Sequence, residues 1–355
     1  MRRRLAAAVL AAAVHAAAWG CAATASAQTI DTKTFNVVGT WNYLTNWQKL
    51  EKPFWTEDLD KASGGKLKGN IKAVNEFNLK GTELLRLLKQ GVFDFAFALP
   101  IYVEDGAAVI EGLDIAGVAR DFKMAKDVAD LWLPEIQKVM RERHNAIILS
   151  THVWPEQNFY CRGEIKTVED LKGKSIRVQG QSQSDLATAL GASSVTIGFG
   201  EVMSALQKDI IECAITGTMP AYKAKWHEVT NTLFRLPVGF TVGFLVANLT
   251  TWNKLSADTR ALIEKEVKSL EERSWKSTQA ETEEGVYCTT GTGGCPAGPA
   301  GKLKLSKPSA ADLKARDKAL NETVLKSWAK RCGIECAARW TELIGTKYGL
   351  TAKAD

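Results

Sequence analysis

A strand–helix–strand–helix–strand run between Lys172 and Thr218 constrains this chain more than any other stretch. Lys174-Ser175-Ile176-Arg177-Val178 alternates with a period of two, so Ile176 and Val178 share one face and Ser175 and Arg177 the other. Gly180 turns the chain, Ser182–Leu190 has helical spacing, and Gly191 is placed to end that helix as its C′ residue. Val195-Thr196-Ile197 reads as a second strand. Phe199-Gly200 leads into a helix from about Glu201 to Lys208, and Ile211–Ile215 is a third strand that breaks at Thr216-Gly217. Strands alternating with helices in this way build a parallel sheet. Ligands of such sheets lie beyond the carboxyl ends of the strands, and Arg177 is at such an end. A guanidinium there offers a permanently charged fork that suits a carboxylate. Its competing role is a surface ion pair.

At 355 residues the chain is long enough for about two domains of this kind. Arg2-Arg3-Arg4, the apolar run Leu5–Ala18 and Ala25-Ser26-Ala27 together have the layout of a signal peptide over residues 1–27, cleaved to leave an exported protein beginning near Gln28. The apolar run is short for a membrane span, and no later stretch rivals it, so stable membrane insertion is not expected. Cys21 follows Ala18-Trp19-Gly20, where the tryptophan argues against a lipoprotein site. Removing the three leader arginines takes the formal net charge from +6 to +3, which gives no reason to expect nucleic acid as a partner.

Six cysteines remain after the leader, an even number in an exported chain, which points to disulfides. Six cysteines allow fifteen pairings. Proximity favours Cys288–Cys295 around a Gly/Pro-rich loop and Cys332–Cys336 around Gly333, leaving Cys161 to meet Cys213 across the central sheet. The rival is a zinc site on Cys288, Cys295, Cys332 and Cys336, against which the wide spacing of the first pair counts.

The rest of the chain repeats the α/β theme. Phe35–Val38 reads as a strand ending at Gly39-Thr40-Trp41-Asn42. A helix over about Asn46–Ala62, a strand over Leu67–Val74, a loop Asn75-Glu76-Phe77-Asn78, a short helix Glu83–Lys89 and a strand Asp94–Leu99 follow. Gly91–Phe97 can be laid over Asp209–Ile215, each an acid followed by an apolar strand, as two lobes of similar design would require. Phe122–Arg143 is helical and Ala146–Ser150 a strand. His152–Pro155 is a crossing point, Gln157–Cys161 opens a second lobe, and Phe240–Ala247 returns to the first. A helix from Ser256 to about Gly285 is long enough to brace both lobes. The helices Ala310–Lys330 and Ala337–Ile344 are expected on the outside. The lobes are accordingly drawn as 28–153 with about 241–285, and 154–240, with 286–355 packing on them.

Enzyme signatures are hard to find. His144, His152 and His227 are scattered without metal spacing, and no nucleophile elbow, phosphate loop or HExxH sequence occurs. Neither a metal nor a cofactor is expected. What remains is binding chemistry around Arg177. Trp41 and Phe199 follow strands directly, where a ligand would stack, although each could equally be a core residue.

Leu171–Val178, Leu190-Gly191-Ala192 and Phe199–Gln207 resemble the signature region of the periplasmic substrate-binding proteins of TRAP transporters, the dicarboxylate-binding DctP type. The resemblance extends to Glu83–Phe95, Lys225–Val229 and Trp252–Ser256, and so over most of the chain. It implies two α/β lobes with a hinge and a long helix across both, closing over an organic acid and docking on TRAP membrane subunits. The family's carboxylate-clamping arginine falls on Arg177 and its pocket phenylalanine on Phe199. Its usual ligand asparagine is replaced by Thr216, and a second ligand arginine of the sialic-acid branch falls on Gln157. Both replacements shorten polar reach and argue against a strongly polyhydroxylated ligand.

The expectation is therefore a periplasmic receptor, not an enzyme, for a small carboxylate, with an aromatic, 2-oxo or 2-hydroxy acid favoured. Arg177 would bind the carboxylate, Gln157, Thr216 and Asn42 neighbouring polar groups, and Trp41, Phe199 and Phe77 would complete the pocket. The alternatives are a ligand sensor serving a membrane kinase and, behind it, a secreted enzyme on the same scaffold.

Overall fold

The computed structural model describes residues 29–103 and 107–354; the expected signal peptide and Cys21 lie outside the described residues. The alternating segment Lys33–Gly39 forms β1, flanked by parallel β2 (Leu67–Ala73) and β3 (Phe95–Ala98). Phe35 and Phe95 meet edge to face at 4.9 Å, and Trp55, from the helix α1 over residues 45–62, closes on Phe95 at 4.7 Å. Gly69 of β2 admits that indole, since a Cβ there would lie 2.6 Å from the Cβ of Trp55. Leu84, Leu85 and Leu88 of α2 (Leu84–Lys89) belong to the core on the other face, with Val38 and Ala96.

The second lobe repeats the plan. β5 (Ser175–Val178) lies between parallel β6 (Ser193–Thr196) and β7 (Cys213–Gly217), with α5 (Gln181–Ala189) and α6 (Val202–Gln207) as crossovers. Two long strands join the halves. β4 (Ala146–Cys161) and β8 (Thr232–Asn248) run antiparallel to one another, β3 pairs with β8 and β7 with β4. The sheet order is β2-β1-β3-β8-β4-β7-β5-β6, with β9 (Lys304–Ser306) beside β8.

Three expectations need correction here. Ala146–Ser150 and Gln157–Cys161 are not separate strands but parts of β4. Pro155 sits at the register shift between Val153 and Glu156, where the ladder is already interrupted and a missing N–H is tolerated. The strand expected at Phe240 begins at Thr232, and a further shift opposite Asn158 takes up Arg235–Val238 with Pro237. The crossings near residues 154 and 240 therefore lie inside continuous strands.

The C-terminal helices, residues 310–332 and 334–348, are not peripheral. Trp328 and Trp340 are fully buried and pack against each other at 5.5 Å, with Trp328 also meeting Trp132 of α4 (Phe122–His144). Their indole N–H groups donate to the carbonyls of Ala108 and Gly112.

The long helix α9 (Ala257–Thr290) is capped by Ser256, whose hydroxyl accepts from Thr259 N–H, and ends at Gly291 with φ 73°. Its 34 residues reach roughly 50 Å. Thr278 of α9 donates to the Val153 carbonyl of β4, and Gly285 presses on α7 (Thr218–Lys223), so it braces both lobes. The disulfides are Cys161–Cys213, Cys288–Cys295 and Cys332–Cys336, the pairing that proximity favours and incompatible with the four-cysteine zinc site.

Candidate functional site

The carboxyl ends of the strands in both lobes converge on one cavity between them. Its walls come from Trp41 after β1, Tyr102 after β3, Arg177 and Gln179 at the end of β5, Phe199 after β6 and Thr216 on β7. Gln157 and Trp154 of β4 and Thr241 of β8 form the floor where the long strands cross.

Arg177 is fully buried on β5. Its Nε donates to the Ile197 carbonyl at 2.9 Å and its Nη1 to the Ile215 carbonyl at 2.8 Å, so the guanidinium knits together the ends of β6 and β7. The Trp226 ring lies 5.9 Å from its central carbon. Among the described residues no acidic side chain forms an ion pair with it, and burial lowers its pKa to about 10. Tyr102 lies close enough to feel that charge. Its hydroxyl is buried, and the Phe199 N–H approaches it without reaching hydrogen-bond geometry.

The aromatic walls meet across the gap between the lobes. Trp41 packs on Phe199 at 5.2 Å in a T-shaped contact and on Tyr102 at 6.3 Å, while Phe199 also lies 5.5 Å from Trp226. A polar string runs along the floor. Gln157 Nε2 donates to the Pro155 carbonyl at 3.0 Å, Gln179 Nε2 to Gln157 Oε1 at 2.9 Å, and Thr241 Oγ1 to Gln179 Oε1 at 3.3 Å. Tyr102 and Gln179 also face a groove that runs outward past Lys80, Glu201 and Lys208. There Lys80 of the first lobe and Glu201 of the second pair at 3.0 Å.

Of the residues singled out from sequence, Arg177, Phe199, Thr216, Gln157 and Trp41 come together on this cavity. Asn42 and Phe77 do not. After Trp41 turns inward the next side chain points away, and Asn42 is tied to Asn75 by two bonds of 3.1 Å on the exposed surface. Phe77 is 38% exposed, packed on Phe93 at 5.2 Å beneath Lys72. Sequence reasoning also missed Gln179, Tyr102 and Thr241. Gln179 had a signal, since it lies two residues past Arg177 on the same strand face. Thr241, in the middle of an apolar strand, had none.

A family model described as bacterial extracellular solute-binding protein, family 7 (DctP), matches residues 39–329. DctP7, a Bordetella pertussis extracytoplasmic solute receptor binding pyroglutamic acid, has a similar structure, with a TM-score of 0.77 at 18% identity over 88% of this chain and 99% of that one. DctPAm, a sugar acid binding protein from Advenella mimigardefordensis solved with galactonate, gives 0.78 at 17% identity over 90% of this chain and 99% of that one. An uncharacterized protein of Haemophilus influenzae is 26% identical over 114 residues, which is 32% of this chain. The chain thus spans only 35% of the length of that curated relative. The two-lobed α/β architecture and the match over most of the chain place it among the family 7 (DctP) bacterial extracellular solute-binding proteins.

Proposed function

We propose that this protein is a periplasmic receptor that captures a small organic acid between its lobes and delivers it to the membrane subunits of a TRAP transporter. The observation that carries this reading is Arg177, a wholly buried cation lining the cavity with no acidic partner among the described residues. Burying an unpaired charge costs several kcal/mol, and an anionic ligand offsets that cost by supplying the missing counter-charge. In this reading Arg177 clamps the carboxylate, Gln157 and Thr216 contact neighbouring polar groups, and Trp41 and Phe199 flank the body of the ligand. A pocket walled by Trp41, Tyr102 and Phe199, with few polar groups beside Arg177, suits a compact aromatic, 2-oxo or 2-hydroxy acid. The leader over residues 1–27 would direct export, and the lobes would close about hinges within β4 and β8. The protein acts by binding, not turnover.

Isothermal titration calorimetry against a library of small acids tests the reading. Arg177→Ala is expected to weaken binding of whichever acid binds by at least about 100-fold, the loss of a charge-assisted pair in a desolvated site. Arg177→Lys, which keeps the charge but not the fork, falls between. Circular dichroism checks that both variants remain folded. Unchanged affinity in a folded Arg177→Ala protein overturns the clamp.

A further inference from the structure

We propose that Gln157, Gln179 and Thr241 form a one-way hydrogen-bond chain that makes the cavity a donor site. Among small carboxylates it would favour those with a second, carbonyl-type acceptor, such as 2-oxo acids and lactam acids, and exclude amino acids. The inference rests on the receptor reading above and narrows its ligand class.

The direction of the chain is anchored at one end. The Pro155 carbonyl only accepts, so Gln157 must turn its amide nitrogen to it. That turns Gln157 Oε1 towards Gln179, which must then donate from Nε2 and present its own Oε1 to Thr241. The Thr241 hydroxyl closes the chain by donating. Each amide oxygen therefore already accepts a bond from within the wall, whereas each amide nitrogen keeps a second N–H. At the far end the Asp114 carboxyl lies beside Thr241. Burial holds it well above the usual carboxylate range, which weakens its competition for the Thr241 proton.

Arg177 adds further N–H donors, and among the described residues no acidic side chain lines the cavity. Acceptor capacity facing a ligand is left chiefly to the hydroxyls of Thr216 and Tyr102, and neither makes a hydrogen bond of standard geometry among the described residues. A carbonyl oxygen uses such a wall fully. A hydroxyl also accepts from it, but must find an acceptor for its own proton. An ammonium needs two or three acceptors, and with the ligand's carboxylate already shared with Arg177 its own charge would be left without a counter-charge in a buried site.

Calorimetry with phenylpyruvate, phenyllactate and phenylalanine, and with pyroglutamate and proline, separates the outcomes. The expected order is carbonyl acid over hydroxy acid by about tenfold, and either over the amino acid by at least about 100-fold. Thr241→Val removes the donor that pins Gln179. It should bring phenylpyruvate and phenyllactate within about threefold of each other while carboxylate binding persists. A residue with a merely structural role would weaken all ligands alike. Carboxylates binding without regard to oxo, hydroxy or amino groups overturn the donor chain and leave the receptor reading intact. Failure of all five compounds to bind counts against both.

Discussion

Two ionisable side chains at the cavity are buried for opposite reasons. Arg177 waits for a counter-charge, whereas Glu51 is a supporting group behind the wall. Its carboxylate accepts from Thr40 N–H at 2.7 Å and Thr40 Oγ1 at 2.8 Å, and Gly39 leaves the room, since a Cβ there would lie 2.6 Å from the carboxylate. The turn that delivers Trp41 to the cavity is thereby held. Burial raises the Glu51 pKa from 4.5 to about 7. The folded state therefore holds this proton more tightly than the unfolded chain, so its contribution to stability is full below pH 4.5 and is lost as pH rises through about 7. Glu51→Gln makes the same two bonds without titrating: its amide oxygen accepts from Thr40 N–H and its nitrogen donates to Thr40 Oγ1. Urea unfolding at pH 4.5 and pH 8 should show the wild type losing on the order of 3 kcal/mol more than Glu51→Gln across that window. Equal losses would mean that Glu51 does not titrate there. At this scale the sequence is half legible. Arg177, Phe199 and Trp41 are recognisable from their places at strand ends, but the partnership of Glu51 with Thr40 joins residues eleven apart through a fold that must exist first.

The elements were largely readable because their signals are local. The period-two alternation of β5, the cap at Ser256 and the glycine stops at Gly191 and Gly291 each act within a few residues. The errors share one cause. β4 looked like two short strands and β8 like one that began only at Phe240, because Pro155 and Pro237 break the local pattern, and only pairing across register shifts shows that the strands continue. The α9–α7 contact is equally tertiary. A Cβ on Gly285 would stand 2.3 Å from Met219 N and 2.4 Å from the Thr218 carbonyl carbon, backbone atoms with little freedom to move. Gly285→Ala adds helix propensity of up to about 1 kcal/mol but must force the two helices apart. It should destabilise the protein by about 1–3 kcal/mol net in urea titration, whereas a neutral or stabilising result would show that α7 can retreat.

Across the whole molecule the two lobes have mirrored strand orders, β2-β1-β3-β8 and β6-β5-β7-β4. The echo between Gly91–Phe97 and Asp209–Ile215 falls on the equivalent strands β3 and β7. The disulfides differ in how much chain they restrain. Cys161–Cys213 closes 52 residues and ties β4 to β7 at the end of their ladder away from the cavity, whereas Cys288–Cys295 closes 7 and Cys332–Cys336 closes 4. On loop-closure entropy the first contributes about 4 kcal/mol and each of the others about 2. Replacing each pair by alanine and measuring unfolding free energy should reproduce that order, and a larger loss from either short loop would reject it. By itself the sequence determined the alternation of strands and helices, the arginine at a strand end and the even cysteine set. These are written in spacings of a few residues and in side-chain chemistry that does not depend on context. Tertiary structure alone decided which side chains share the cavity, that Asn42 and Phe77 stay outside it, that Thr241 belongs to it, and that Arg177 is buried without a counter-charge among the described residues. Each of these depends on residues far apart in the chain meeting where the strand ends of the two lobes face each other, and no local pattern encodes that meeting.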